Sequence, residues 1–248
     1  MDKPCVLQVA VCEDEPADAA LLESLINKTE KNGVEVDLHS FKSGKEFLAS
    51  FCAWKYDLIF MDIYMKGMQG VEAVREIRRK DRNVVIAFTT NSPDHALESY
   101  RLGAVKYLEK PVSPEDVAET LSFALMKRKN IPFITLTTMG GGQEDIPLDS
   151  ILYFEQQNYV VEVHTESRVL TTSRSARLND LEKRLPSPPF LRCHRSYLIN
   201  LNYVRTFDRE NNAFIMTNGD RADIRRDGYA RYKMEFNKWR LDKDGREE

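Results

Sequence analysis

The stretch LIFMDIYMKGMQG, residues 58–70, is a short apolar run that stops at one carboxylate, Asp62, and then opens into a loop. A run this short, rich in Ile and Phe, reads as a buried strand over Asp57–Met61 with Asp62 at its carboxyl end. Similar runs flank it at Val6–Cys12, Val34–Phe41, Val84–Thr89 and Lys106–Leu108. Helical patterns lie between them. Pro16–Asn27 carries Leu21, Leu22, Leu25 and Ile26 on one face, and Ser43–Trp54, Val71–Arg79 and Pro93–Leu102 follow. A last helix is expected from Pro114 to about Lys127. Ser113 can cap it, Pro114 suits its first position, and Asp116 puts an acid in its first turn. Strands alternating with helices in this way predict a doubly wound, five-stranded parallel α/β sheet over residues 1–126.

The pattern changes after a short basic segment, 127–132, which reads as a linker. Ile131–Thr138, Ile151–Gln156, Tyr159–Thr165, Arg168–Thr172, Tyr197–Asn200 and Ala213–Thr217 are strand-like, with Gly140-Gly141-Gly142 and Asn218-Gly219 as turn material. Only Ser175–Leu185 reads clearly as a helix. Residues 133–241 are therefore expected to form a mainly β domain, with 242–248 a charged, frayed tail.

Composition excludes several classes. No stretch is long and apolar enough to span a bilayer, and MDKPCVLQVAVCEDE is too briefly apolar for a secretory signal, so a cytoplasmic protein is expected. Cys5, Cys12, Cys52 and Cys193 show neither CxxC spacing nor paired histidines, which disfavours zinc binding and a disulfide framework. The formal net charge of −3 conceals a basic segment: residues 168–240 hold 16 Lys+Arg against 8 Asp+Glu, which fits a polyanion partner.

In a doubly wound sheet, ligands gather where the loops splay at the carboxyl ends of the strands. Those ends here offer Glu13 and Asp14, then Asp62, then Thr89 and Thr90, then Lys110. Clustered carboxylates repel one another and call for a hard cation such as Mg²⁺. The ion and Lys110 could then neutralise a phosphoryl group arriving on Asp62, a competent carboxylate nucleophile. With these residues, VAVCEDE, LIFMDIYMKGMQG, the Thr pair and GAVKYLEKP resemble the receiver domain of two-component response regulators. That resemblance implies Asp62 as phospho-acceptor, with Glu13, Asp14, Asp62 and the Tyr64 backbone carbonyl holding Mg²⁺. It implies as phosphoryl contacts Lys110 and a Thr after the fourth strand, Thr90 in preference to Thr89, with Tyr107 as an aromatic that moves inward on activation and Lys110–Pro111 as a candidate cis bond. Lys66 stands where the family usually has proline.

FLRCHRSYLINLNYV, residues 190–204, with ILYFEQQNYVVEVHT, residues 151–165, and LTTSRSARLNDLEKRLP resemble the LytTR type of DNA-binding domain. That domain has no helix-turn-helix, so base reading falls to loop side chains. The resemblance implies contacts from Asn158, Tyr159, His194, Arg195, Arg225 and Arg226. Arg195 and Arg225 are expected on base edges, and Arg174, Arg177 and Arg192 on phosphate. The chain as a whole is thus expected to be a transcription regulator and no enzyme. It would be switched by a sensor histidine kinase, bind double-stranded promoter DNA, and homodimerise when phosphorylated. A phospho-switched protein-interaction module is the alternative.

Overall fold

The apolar runs of the first half pair into one parallel sheet because each connection is long enough to carry a helix back across it. β1 (Val6–Cys12), α1 (Pro16–Glu30), β2 (Glu35–Phe41), α2 (Gly44–Ser50), β3 (Leu58–Asp62) and α3 (Gly70–Lys80) come first. They are followed by β4 (Val85–Thr90), α4 (Ala96–Arg101), β5 (Lys106–Glu109) and α5 (Pro114–Asn130). The strand order is β2-β1-β3-β4-β5. The computed structural model describes residues 6–30, 35–92, 94, 96–225 and 227–244, and divides the chain into units 1–131 and 132–248.

Strand periodicity sends alternate residues to opposite faces. Ile59 and Met61 of β3 join Ile86 and Phe88 of β4 in a core closed by Phe47 of α2 and by Ala73, Val74 and Ile77 of α3. Leu58 and Phe60 join Val85 and Ala87 in a second core under Leu22, Leu25 and Ile26 of α1 and Val117 and Leu121 of α5. Asp62 continues the alternation of Leu58 and Phe60 and is paired with Thr89. Thr90 continues that of Ile86 and Phe88, the face on which Tyr107 packs.

Several helix ends shift from expectation, α1 running on to Glu30 and the helix expected over Ser175–Leu185 spanning only Leu178–Arg184, and two of the shifts have a clear local cause. α2 stops at Ser50 instead of Trp54, because Phe51 turns to extended backbone and Trp54 (φ +66°) gives its amide to buried Asp81 at 2.8 Å. α5 runs on to Asn130, so most of the segment read as a linker is helix. Lys127, Arg128 and Lys129 suit a helix C-terminus, and Arg128 pairs with Asp57 at 2.5 Å. Pro93 and His95 of the expected fourth helix lie outside the described residues.

The second unit contains β6 (Phe133–Thr137), β7 (Gln143–Pro147), β8 (Ile151–Gln157), β9 (Val160–Thr165), β10 (Val169–Thr171) and α6 (Leu178–Arg184). β11 (Phe190–His194), β12 (Tyr197–Asn200), β13 (Val204–Asp208), β14 (Ala213–Met216), β15 (Arg221–Asp223) and α7 (Tyr229–Asp244) complete it. Three antiparallel sheets result, ordered β10-β9-β8-β12-β11, β13-β14-β15 and β6-β7. One face of the large sheet packs with Ile134, Ile146, Leu178 and Leu181. The other packs with Phe214, Met216, Tyr232 and Phe236. The expected mainly β unit is present. β7, β11, β13, β15 and the whole of α7 are additions to the expected elements, and α7 carries residues 242–244 of the expected frayed tail.

Candidate functional site

At the carboxyl end of the parallel sheet, Glu13, Asp14 and Asp62 each present a carboxylate oxygen, all within 4.8 Å of one another. Glu13 and Asp62 are buried. Lys110 closes the cluster, its Nζ lying 2.7 Å from Glu13 Oε2, 3.0 Å from Asp18 Oδ2 and 3.3 Å from Asp62 Oδ1. Asp18 is a member of the cluster that the strand-end pattern does not point to. It lies in the first turn of α1, and an acid in a helix that starts just after Glu13 and Asp14 was the available signal. The Lys110–Pro111 bond is cis, as expected.

Burial raises the Glu13 carboxyl above its ordinary range, helped by the charge of Asp62 and opposed by Lys110. Burial likewise raises Asp62, against the charge and hydrogen bond of Lys110 and the Tyr64 amide. For Lys110, burial alone would favour the neutral amine. Its hydrogen bonds to Glu13 and Asp18 and the charges of Asp62 and Glu13 outweigh that and hold the ammonium. A carboxylate whose pKa is raised by folding favours the protonated folded state, so its stabilising effect is lost as pH rises through the folded pKa. Asp62→Asn is therefore expected to raise the melting temperature of the metal-free protein at neutral pH by roughly 2–6 °C. That advantage should shrink as pH falls and the wild-type carboxyl takes up its proton. Paired melts in chelator across that pH range check this, and an advantage that grows towards acid contradicts it.

Asp14 is held from the loop after Asp62, where the Lys66 amide donates to its Oδ2 at 3.0 Å. Proline has no N–H, so the family's usual residue could not make this bond. Thr90 is fully buried. Its Oγ1 donates to the Ser92 carbonyl at 3.2 Å and accepts the Ser92 amide at 3.2 Å. The Tyr107 hydroxyl also donates to that carbonyl, so one acceptor links Thr90 with Tyr107.

In the second unit, strand register gathers the basic loops. β9 is antiparallel to both β8 and β10, and β12 is antiparallel to β8 and β11. The turn at Asn158–Tyr159, the segment after β10, and the β11–β12 turn therefore share one edge of the sheet. The Gln156 amide donates to the Ser196 carbonyl at 2.8 Å across that edge. The Arg225 amide docks on the Cys193 carbonyl at 3.1 Å and brings a fourth segment beside them. Asn158 sits at φ +51°, a left-handed turn position that Asn tolerates, and Tyr159 is 77% exposed. Arg174, Arg195 and Arg225 are exposed, and among the described residues none is in an ion pair.

Arg192 and His194 have a different place. The Arg192 guanidinium donates Nε to the His194 carbonyl at 2.7 Å and Nη2 to the Arg195 carbonyl, bracing the turn from beneath. His194 Nδ1 accepts the Ser196 amide at 3.2 Å. Burial, with Arg195, Arg225 and Arg192 nearby, lowers its pKa. Arg177 binds the carbonyls of Arg174 and Ala176. Arg226 lies outside the described residues.

Residues 9–122 match the family model of the response regulator receiver domain, and residues 142–237 that of the LytTr DNA-binding domain. The chain belongs to the LytTR response regulators. It is 25% identical over 238 residues to the transcriptional regulatory protein LytR of Staphylococcus aureus, covering 89% of this chain and 95% of that one. The sensory transduction protein LytT of Oceanobacillus iheyensis is 27% identical over 176 residues, covering 67% of this chain and 70% of LytT. The positive alginate biosynthesis regulatory protein of Pseudomonas aeruginosa is 27% identical over 220 residues, with coverages of 82% and 86%. This LytTR regulator thus pairs a receiver with a DNA-binding domain, the composition of a transcription regulator and not of an enzyme family. Among the described residues, no helix is long and apolar enough to cross a membrane.

Proposed function

We propose that this regulator is switched by transfer of a phosphoryl group to Asp62 from the phosphohistidine of a cytoplasmic sensor-kinase domain. The observation that carries this reading is the cluster of Glu13, Asp14 and Asp62, with the Lys110 ammonium set against Glu13 and Asp62. An Asp62 oxygen attacks phosphorus, and the P–N bond to the kinase imidazole breaks. The donor set is all oxygen and mostly buried, which fits Mg²⁺ held by Glu13, Asp14, Asp62 and the Tyr64 carbonyl. When bound, that ion neutralises charge on the incoming group. Lys110 supplies the second positive charge. The phosphoryl group adds a charge of roughly −1.5 to −2, drawing Lys110 off Asp18 and Thr90 off Ser92. The Tyr107 ring then gives up its own hydrogen bond to the Ser92 carbonyl and moves inward to the side that Thr90 leaves. Exposed Leu97 and Tyr100 on α4 support homodimerisation across the α4 face. The dimer presents two sets of Asn158, Tyr159, Arg174, Arg195 and Arg225 to promoter DNA, raising the effective concentration of the second domain.

Acetyl phosphate with Mg²⁺ tests the acceptor. One phosphoryl group per wild-type chain and none on Asp62→Ala is expected, and equal labelling of both excludes Asp62. Genome-wide footprinting of the same pair tests the switch. Higher occupancy by wild type is expected, and identical occupancy refutes phosphorylation control.

A further inference from the structure

Neither the receiver pocket nor the basic edge uses a third cluster of chemical groups, Glu155, Glu162 and His164. Antiparallel register pairs Tyr153 with His164 and Glu155 with Glu162, so all four side chains share one face of the large sheet. His164 Nε2 lies 3.6 Å from Glu155 Oε2 and 3.5 Å from Glu162 Oε2. That nitrogen is shielded from solvent and makes no hydrogen bond. The surrounding groups hold the three donors in place. The Tyr197 hydroxyl donates to Glu155 Oε1 at 2.6 Å, leaving Oε2 towards the histidine. The Tyr153 ring stacks on the imidazole at 4.1 Å and 14°, and is itself tethered through its hydroxyl to Asp220 at 2.7 Å.

The separations are long for hydrogen bonds and suit donors arranged round one ion. Bonds of about 2.0–2.1 Å at tetrahedral angles put donor atoms roughly 3.3–3.4 Å apart. One imidazole with two carboxylates suits zinc and neighbouring divalent transition ions, whereas Mg²⁺ and Ca²⁺ prefer oxygen alone. The Tyr197 hydrogen bond is the kind of supporting contact that orients a ligating carboxylate. Glu162 is 30% exposed, which gives an ion a way in and leaves a position for water.

We propose that Glu155, Glu162 and His164 bind one divalent transition-metal ion, zinc by preference, within the DNA-binding domain. The ion ties β8 to β9 and cancels two carboxylate charges on the strands that lead into the Asn158–Tyr159 turn. This donor set has neither the cysteine spacing nor the paired histidines by which zinc binding is recognised in a sequence.

The test is a Zn²⁺ titration of the full chain against a chromophoric chelator, with excess Mg²⁺ to occupy the receiver pocket. Glu162→Gln and His164→Gln are run beside wild type. One tightly bound zinc per wild-type chain is expected, at least ten-fold weaker in each variant. Zinc should also raise the melting temperature of wild type and of neither variant. Circular dichroism reports folding, and if one variant fails to fold the other carries the comparison. Wild-type affinity no tighter than that of a folded variant overturns the proposal and leaves the cluster an imidazole–carboxylate triad without metal.

Discussion

Gly70→Ala is expected to destabilise the receiver by about 2–4 kcal/mol and to slow phosphoryl uptake on Asp62 by roughly 100-fold. A Cβ built on Gly70 falls 2.0 Å from the Asp62 carbonyl oxygen and 2.9 Å from both the Asp62 carbonyl carbon and Met61 Cγ. The first two of these are backbone atoms, which cannot rotate aside as a side chain would. Either the first turn of α3 lifts off the sheet or Asp62 is displaced. The Gly70 amide also donates to the Ile63 carbonyl at 3.0 Å, so lifting the turn loses that bond as well. Displacement of the nucleophile by about 1 Å suffices for a rate loss of that size. Gly67→Ala is the matched comparison. Gly67 has φ +92° but nothing within 4 Å of an added Cβ, so only backbone strain of about 1 kcal/mol is expected there, with uptake close to wild type. Urea melts and the rate of labelling by acetyl phosphate measure both variants. Uptake at the wild-type rate in Gly70→Ala would show that the approach of α3 to Asp62 does not position the acceptor.

On the DNA side the largest losses are expected from Arg195→Ala and Arg225→Ala, each costing about 1–3 kcal/mol of specific binding, roughly 5–150-fold. Both side chains are exposed at the edge where the loops converge. The Arg225 amide bonded to Cys193 keeps the two segments adjacent. An arginine on a guanine edge carries sequence information, so each loss should come with relaxed preference at one base position. Arg174→Ala should behave differently. As a phosphate contact it weakens all sequences alike and reduces the salt slope by about one. Arg192→Ala separates bracing from reading, since its guanidinium holds the carbonyls of His194 and Arg195. Its effect should appear first as a lower melting temperature. Binding to a randomised site library at two salt concentrations distinguishes these outcomes. A uniform loss across sequences for Arg195→Ala would move that residue from bases to phosphate.

Much of this was legible from residue order. The strand ends at Glu13, Asp62, Thr90 and Lys110 could be read because an apolar run stopping at a polar residue is a local pattern, and its period needs no partner. The Tyr159–Thr165 and Tyr197–Asn200 strands were legible for the same reason. α7 was missed although Tyr232, Phe236 and Trp239 recur at helical spacing, because charged residues dilute the stripe and the helix gains its stability by packing on Phe214. β7 and β15 were missed because each buries only one residue, Ile146 and Ala222 respectively, too little to mark a period.

Residue order by itself determined the two-domain plan, the chemistry available at each strand end, and the basic character of the second half. Those properties depend on periodicity and composition over a few residues. Only the tertiary structure decided that Asp18 joins Glu13 and Asp62 on Lys110, that Gly70 lies against the Asp62 backbone, and that four separate segments meet at one edge of a β-sheet. Each of these depends on which strands become neighbours and in what register. Register is chosen by burial of the whole hydrophobic set at once, a non-local sum that no single stretch of the chain contains.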